Sequence, residues 1–262
     1  MNRAWVLIGL ALANIFIWTI PVPHGLTVSF LDVGQGRATL LQGPSGSAVL
    51  IDGGPDSSVL RGVGNALPFF VRSLDAVIET DSSAANIGGL PDVFQRYHVR
   101  AFVEPGAAAT TKAAQALADE AAASHAEDLV AERGMRIVLG HGAYADILSP
   151  GVVRVVYGST SFLLPGDATQ KVQAHLLSLG GDVRSDLLEV PHYGSKDSLS
   201  SDFLKAVAPQ YAVLSYACGN RWGYPAPEVT QSFKDSGVQI FSTCKDGTLT
   251  FVSDGRTVHI TL

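Results

Sequence analysis

Short apolar runs separated by turn residues dominate this chain from residue 26 onward. Runs of about four to eight residues, rich in β-branched and aromatic side chains and bounded by Gly, Pro, Asn, Asp or Ser, are typical of β-strands. Twelve such segments are predicted as strands: residues 26–33, 48–52, 76–79, 101–104, 136–139, 153–157, 161–164, 187–190, 211–216, 238–243, 248–253 and 257–262. Glycine-bearing turns join several of them, which predicts that the chain closes in a β meander.

Three further segments repeat apolar residues at the spacing of a helix. The apolar positions are Ala114, Leu117, Ala118 and Ala121 in the first, Val172, Leu176 and Leu179 in the second, and Val229 and Phe233 in the third. His175 falls within the second stripe, so we expect it to pack in the core and not to bind a ligand. Helices interposed between strands predict an α/β or α+β sandwich.

The amino-terminal segment is apolar. Residues 4–22 contain no charged side chain, and as a helix they would be ~28 Å long, enough to cross a bilayer. Arg3 precedes the segment, which favours a cytoplasmic amino terminus. A cleavable signal peptide is the alternative, although no small-x-small cleavage site follows. We therefore expect residues 1–23 to be a single-pass anchor in the cell membrane and residues 24–262 to form one extracytoplasmic domain.

The amino-acid composition excludes several classes of protein. With 47% hydrophobic and 16% charged residues, the chain can bury a large core, which excludes disorder, collagen and coiled coils. The formal net charge of −6 disfavours strong non-specific binding to nucleic acid. Two cysteines, Cys218 and Cys244, exclude a disulfide scaffold and a four-thiolate zinc site. A single bridge between them and two buried thiols are both open.

Four loops each place a polar or titratable residue close after an apolar strand, beside glycines that allow a ligand to approach. Their sequences are DVGQG from Asp32, DGG from Asp52, LPGD ending at Asp167, and PHYGS around His192. Each loop alone has an ordinary explanation, because an aspartate beside glycine often forms a turn with its own backbone.

The order and spacing of these loops give them more weight. The chain contains SFLDVGQG, LIDGG, LDAVIET followed by IGGL, SFLLPGDA, VPHYGSKDS and YAVLSYACGNRWGYPAPEV, in that order. This series resembles the metallo-β-lactamase-like domain of the ComEC-type DNA-internalisation competence proteins, over about residues 26–262. The resemblance implies a four-layer αββα sandwich with a binuclear metal cleft at one edge.

Most metal-binding residues of that family are replaced here. The family motif His-x-(His or Asp)-x-Asp-His-x-Gly-Gly corresponds to a segment that carries Asp81, Ser83, Ala85 and Asn86 at the four side-chain positions. Asp167 matches the family carboxylate that bridges the metals, and His192 matches a histidine ligand. The second histidine of that motif is Tyr193.

The resemblance therefore implies a vestigial metal site made of Asp81, Asp167 and His192, with no catalytic residue assigned. The residues expected to line the cleft around it are Asp32, Gln35, Arg37, Asp52, Asn86 and Tyr193. Arg37 stands where the family often has an acidic residue. Because a buried carboxylate without a countercharge is costly, we expect Arg37 to pair with Asp167; an exposed arginine is the alternative.

Two functional hypotheses follow. A catalytic zinc site generally needs three protein ligands and a water, so we expect no cofactor, with one Zn or Mn ion as the alternative. The first hypothesis is a membrane-anchored, catalytically impaired module for binding or assembly, linked to DNA uptake. Its expected partners are the membrane and a channel or competence protein, with nucleic acid undecided. The second is an active metal-dependent phosphodiesterase or nuclease with a rearranged site.

Overall fold

A computed structural model describes residues 25–106 and 110–261. Within these residues the strands form two sheets. The first sheet runs, in spatial order, through β15 (Val258–Thr261), β14 (Leu249–Ser253), β1 (Leu26–Phe30), β2 (Thr39–Gln42), β3 (Ala48–Ile51), β4 (Ser73–Ile78), β5 (His98–Glu104) and β6 (Glu127–Val130). The second runs through β13 (Gln239–Ser242), β12 (Tyr211–Leu214), β11 (Leu187–Glu189), β10 (Thr160–Leu164), β9 (Val152–Tyr157), β8 (Ala143–Ser149) and β7 (Arg136–Gly140).

Each sheet has an antiparallel half and a parallel half. Pairing is antiparallel from β15 to β3 and from β7 to β10. It is parallel from β3 to β6 and from β10 to β13. Parallel strands end at the same edge of a sheet, so the loops that follow β3 and β4 lie side by side, as do those that follow β10 and β11. We call this the carboxyl edge.

Helices connect the parallel strands and cover both outer faces. On the first sheet these are α1 (Ser58–Ala66), α2 (Ala84–Ile87), α3 (Leu90–Arg96) and α4 (Lys112–Ser124). On the second they are α5 (Gln170–Ser178), α6 (Ser201–Val207) and α7 (Pro227–Asp235), with a short α8 (Thr243–Asp246) after β13 and a 3₁₀ turn at Pro191–Gly194. None of the helices in the described ranges is long and apolar enough to span a bilayer. The anchor predicted for residues 1–23 lies entirely outside those ranges.

Alternating side chains of the strands build three apolar cores. In β3, Val49 and Ile51 face the opposite sheet, whereas Leu50 faces the helices. The middle core lies between the sheets, and an outer core lies beneath the helices of each sheet. Helix, sheet, sheet and helix therefore form the four-layer αββα sandwich that the sequence predicts.

All twelve predicted strands are present, with ends shifted by a few residues. Sequence patterns missed β2, β6 and β8 and the helices α1, α2, α3, α6 and α8. The prediction that His175 packs in the core was wrong, because this side chain is exposed. In α5 the buried positions are Gln173 and Leu176, and Gln173 donates to the carbonyl oxygens of Ala168 (2.9 Å) and Ser198 (2.6 Å). The inward face of α5 is therefore occupied by Gln173, whose amide group is hydrogen-bonded, and the imidazole of His175 lies on the outward face.

Candidate functional site

The backbone of Arg37 is held in the loop between β1 and β2. Its N–H donates to Asn86 Oδ1 at 3.1 Å, and its carbonyl oxygen accepts from the N–H of Gly54 at 2.8 Å. Gly36 makes this approach possible, because a Cβ at residue 36 would overlap the carbonyl oxygen of Ala85. The side chain of Arg37 is therefore directed into the protein, where it is only 2% exposed.

Three loops supply carboxylates to the Arg37 guanidinium. Nη1 donates to Asp167 Oδ1 at 2.5 Å, Nη2 donates to Asp81 Oδ2 at 3.0 Å, and Nε lies 3.6 Å from Asp52 Oδ2. Of the two alternatives for Arg37, the structure contains the ion pair with Asp167. Burial alone would lower the pKa of Arg37, but the charges of Asp167 and Asp52 outweigh it and raise that pKa above its usual value. The guanidinium is a permanent cation.

Asp52 directly follows β3 in a left-handed conformation with φ of 58°, which aspartate tolerates better than most residues. Its carboxylate accepts from the backbone N–H of Thr80 at 2.9 Å and from the Thr80 hydroxyl at 2.6 Å. Burial raises the pKa of Asp52 to about 8, although Arg37 acts to lower it. Thr80, which the sequence reading overlooked, thus orients the innermost carboxylate.

Asn86 connects the polar groups of the two sheets. Its amide donates to Asp81 Oδ2 at 2.6 Å, and its Oδ1 accepts from the hydroxyl of Tyr193 at 2.8 Å. Asn86 and Tyr193 stand at two positions where the resembling family has histidines, and here they bond to each other. The Tyr193 ring also lies 5.3 Å from Arg37 Cζ, a favourable cation–π distance. We call Arg37, Asp52, Thr80, Asp81, Asn86, Asp167 and Tyr193 the Arg37 cluster.

His192 lies at the rim of this cluster. It is 45% exposed, and its Nδ1 is 3.6 Å from Asp167 Oδ2, which is too long for a hydrogen bond. His192 and Tyr193 have positive φ values of 46° and 57°, a strained arrangement for non-glycine residues. The bonds from His192 N–H to Gly166 O and from Ala226 N–H to Gly194 O hold the turn in place.

The residues present do not fit the binuclear metal centre that the family resemblance implies. Asp81 and Asp167 both accept from the Arg37 guanidinium, and a second cation between them would meet the fixed positive charge at close range. Within residues 25–106 and 110–261, no group of three or more His, Cys, Asp or Glu side chains is arranged to hold a metal ion. Asp81, Asp167 and His192 lie near one another, but two of the three are engaged by arginine.

Two residues expected to line the cleft have other roles. Asp32 is exposed and accepts from the N–H of Gly34 at 3.2 Å, so it closes its own turn away from the Arg37 cluster. Gln35 Oε1 accepts from the N–H of Ala217 at 3.2 Å, which ties the Arg37 loop to the loop after β12.

A buried glutamate near the cluster was also missed. Glu189, at the end of β11, is 4% exposed and accepts from the Ser215 hydroxyl at 3.0 Å. Burial raises its pKa, while Arg37 acts to lower it. In the sequence, the signal that could have identified Glu189 is the presence of a charged residue within the apolar run LLEV.

Stacked aromatic side chains lead from the cluster to the surface. Tyr193 and Tyr224 are stacked with centroids 6.1 Å apart, and Tyr224 and Trp222 are stacked at 6.3 Å. Arg221 lies over the Trp222 ring at 4.7 Å, and Trp222 is 51% exposed. The mouth of the site therefore offers a planar aromatic surface beside a cation.

A disulfide secures the base of this aromatic loop. Cys218 and Cys244 are bonded, with Cα atoms 4.9 Å apart, so the bridge is the alternative that the structure contains. It closes a loop of 26 residues, which contributes about 3 kcal/mol in chain-entropy terms. The bridge joins the loop after β12 to the short helix α8.

Comparison with known proteins agrees with this fold. The family model of the metallo-beta-lactamase superfamily matches residues 31–218, and the chain belongs to that superfamily. The structure of the metallo-beta-lactamase fold protein YhfI from Bacillus subtilis superposes with a TM-score of 0.52, covering 82% of this chain and 95% of YhfI at 15% identity. At that identity the likeness concerns the fold alone.

Three curated relatives match parts of this chain. ComE operon protein 3 of Bacillus subtilis (strain 168) is 23% identical over 86% of this chain and 32% of its own length. Competence protein ComA of Neisseria gonorrhoeae is 36% identical over 38% of this chain and 15% of its own length. Recombination protein 2 of Haemophilus influenzae is 30% identical over 76% of this chain and 25% of its own length. The chain thus spans about a third or less of these relatives, and the similarity to them confirms the resemblance read from the motifs.

Proposed function

We propose that this member of the metallo-β-lactamase superfamily is a membrane-anchored, catalytically impaired module that binds or assembles with a partner in DNA uptake. One observation carries the proposal: the guanidinium of Arg37 is bonded to both Asp81 and Asp167. By the family resemblance, Asp167 stands at the position of the carboxylate that bridges the metals, and Asp81 stands at the position of a histidine ligand.

A guanidinium does not replace the chemistry of a metal ion. A metal acidifies a bound water and polarises a phosphoryl oxygen, whereas arginine has donors but no coordination site and no accessible neutral form. Here the Nη atoms point at carboxylates of the protein. Arg37 therefore serves as a structural countercharge to Asp81 and Asp167.

The link to DNA uptake is supported by the similarity to Competence protein ComA of Neisseria gonorrhoeae. The exposed face of Trp222 beside Arg221 also suits a planar base and its phosphate, because single-stranded nucleic acids stack on aromatic side chains next to cations. The overall charge of −6 opposes non-specific association, so such binding would be local and weak. Attachment to the membrane is supported by the uncharged run at residues 4–22.

Metal analysis and turnover test the proposal directly. The full chain is purified in detergent, its Zn and Mn content is measured by elemental analysis, and hydrolysis of a phosphodiester and of single-stranded DNA is followed after addition of each metal. We expect substoichiometric metal and no turnover above that of the Asp167→Asn variant. Stoichiometric metal together with turnover that Asp167→Asn abolishes would instead establish the rearranged hydrolase.

A substitution of the arginine sharpens this test. In Arg37→Met the carboxylates of Asp52, Asp81 and Asp167 lose their cation, so we expect the variant to gain affinity for Zn or Mn. Arg154→Met is the matched control, because Arg154 also pairs with an aspartate, Asp182 at 3.0 Å, away from the cluster. Equal metal affinity of the two variants would show that Arg37 does not exclude the ion.

A further inference from the structure

The register of the first sheet fixes where the chain enters the domain. Val28 lies level with Leu41, Val49 and Ala76 through three successive pairings. Because β1 and β4 run in the same direction, Leu26 at the start of β1 is level with Leu74 at the start of β4. We call this the amino edge; it lies ~20 Å from the carboxyl edge, given about 3.3 Å per residue of strand.

An exposed aromatic pair projects from the same edge. Phe69 is 77% exposed and Phe70 is 50% exposed, and their rings meet edge to face at 5.5 Å. Phe69 and Phe70 precede Leu74 by five and four residues. The loop that carries them therefore lies at the amino edge, where residue 25 precedes β1. The two segments are three strands apart, or ~14 Å at about 4.8 Å per strand.

Cationic side chains flank this pair. Arg72 is exposed, and its carbonyl oxygen accepts from the N–H of His98 at 2.8 Å, so it lies where β5 begins. Arg96, two residues before His98, is exposed at the end of α3. Aromatic rings beside arginines are suited to the boundary between lipid headgroups and acyl chains, where the rings enter and the cations meet anionic headgroups.

We infer that Phe69 and Phe70 insert into the surface of the bilayer that holds this chain. The inference rests on the proposed membrane attachment and adds an orientation to it. The apolar run at residues 4–22 is joined by two residues to the described chain, which starts with residue 25 at the amino edge, so this edge faces the lipid. Exposed Trp222, at the carboxyl edge, then faces away from the membrane and is open to a partner.

Site-specific labels test this orientation in the full chain. The chain has two cysteines, and they are paired with each other, so an introduced cysteine provides one free thiol. Phe69→Cys and Lys196→Cys each receive an environment-sensitive fluorophore in vesicles of phosphatidylethanolamine and phosphatidylglycerol. Lys196 is an exposed residue of the loop after β11, at the carboxyl edge. Quenching by nitroxide-bearing lipid and by aqueous iodide is compared, and carbonate extraction measures membrane attachment separately.

We expect the label at residue 69 to shift to the blue and lose its fluorescence to the lipid quencher, and the label at residue 196 to respond to iodide. A second pair of samples carries the label at Arg72→Cys, with and without F69S and F70S. Loss of lipid quenching in the serine variant would assign the contact to the phenylalanines.

The two measurements together distinguish the inserted phenylalanine pair from the membrane anchor. Lipid quenching at residue 69 supports the inserted pair even if carbonate removes the chain, in which case the anchor is wrong. An aqueous label at residue 69 in a carbonate-resistant chain overturns the orientation and leaves the anchor standing. An aqueous label in a chain that carbonate removes overturns both.

Discussion

The two edges of the first sheet differ in which kinds of side chain they bury. At the carboxyl edge a charged residue, Arg37, is 2% exposed, whereas at the amino edge an apolar residue, Phe69, is 77% exposed. The buried charge has carboxylates and an aromatic ring around it. The exposed ring is in contact mainly with a second exposed ring. Charge is thus buried at the carboxyl edge only where carboxylates pair with it, whereas the apolar surface at the amino edge is the part of the sheet on which the proposed bilayer contact depends.

Removal of the central cation should break the closed site most severely. We expect Arg37→Met to lower the free energy of unfolding by about 3–5 kcal/mol, because it leaves buried carboxylates without a partner. Chemical denaturation at neutral pH measures the change. Arg100→Met, which breaks the ion pair between 66% exposed Arg100 and Asp75, should lose no more than about 1 kcal/mol. Similar losses in both variants would contradict the central role of Arg37.

A buried carboxyl without a cation gives a pH test. Glu79 is 5% exposed, accepts from the Ser82 hydroxyl at 2.9 Å, and has a pKa that burial raises to about 7. Because the folded-state pKa is raised, this group contributes stability below about pH 4.5 that is lost as the pH rises through 7.

Glu79→Gln should remove that part of the pH dependence and should be more stable than the native chain at pH 8 by roughly 1–3 kcal/mol. Unfolding free energies measured between pH 5 and pH 8, expressed as a difference from the native chain, report the effect. Exposed Glu228 provides the control substitution Glu228→Gln, which should leave the profile unchanged. If the unfolding free energies of Glu79→Gln and of the native chain changed in parallel with pH, Glu79 would not be a buried, protonated carboxyl.

The hydroxyl that joins the two sheets makes a smaller contribution. Tyr193→Phe removes the bond to Asn86 Oδ1 but leaves the ring against Arg37, so we expect a loss of about 1 kcal/mol. Tyr224→Phe is a matched control, because the Tyr224 hydroxyl has no hydrogen bond among the described residues. Equal stability of both variants would show that the Asn86 bond contributes little.

Substitution at the amino edge should affect stability least. Phe69→Ser removes an exposed ring, so the free energy of unfolding should change by no more than about 0.5 kcal/mol. A thermal melt of the full chain in detergent measures this. A loss comparable to that of Arg37→Met would mean that the ring packs within the protein, and the contrast between the two edges would disappear.

The sequence was sufficient for much of the fold and for part of the site. Strands such as β3 have apolar runs bounded by glycine, and the strand-end positions of Asp52 and Asp167 followed from them. β6 was missed because it begins with two charged residues, Glu127 and Asp128, which an exposed edge strand can carry. Its side chains do not show the alternation that identifies a strand.

Long-range pairs could not be predicted in the same way. Asn86 and Tyr193 are separated by 107 residues and meet only when the sheets pack. No local pattern specifies that bond or the role of Thr80. The ion pair between Arg37 and Asp167 could be predicted because a buried carboxylate requires a nearby cation. That requirement does not depend on how the surrounding side chains pack.

The bond between Asn86 and Tyr193 also bears on how the histidines of the family motif could be introduced into this chain. Asn86 accepts from two donors and donates to Asp81, so a histidine placed there alone cannot keep all three contacts while Arg37 still fills the space. A histidine at residue 193 alone would withdraw the ring from Arg37 and leave Asn86 short of a donor. Each substitution is unfavourable unless the others are already present, which is sign epistasis. A complete set of metal ligands would therefore require several concerted codon changes.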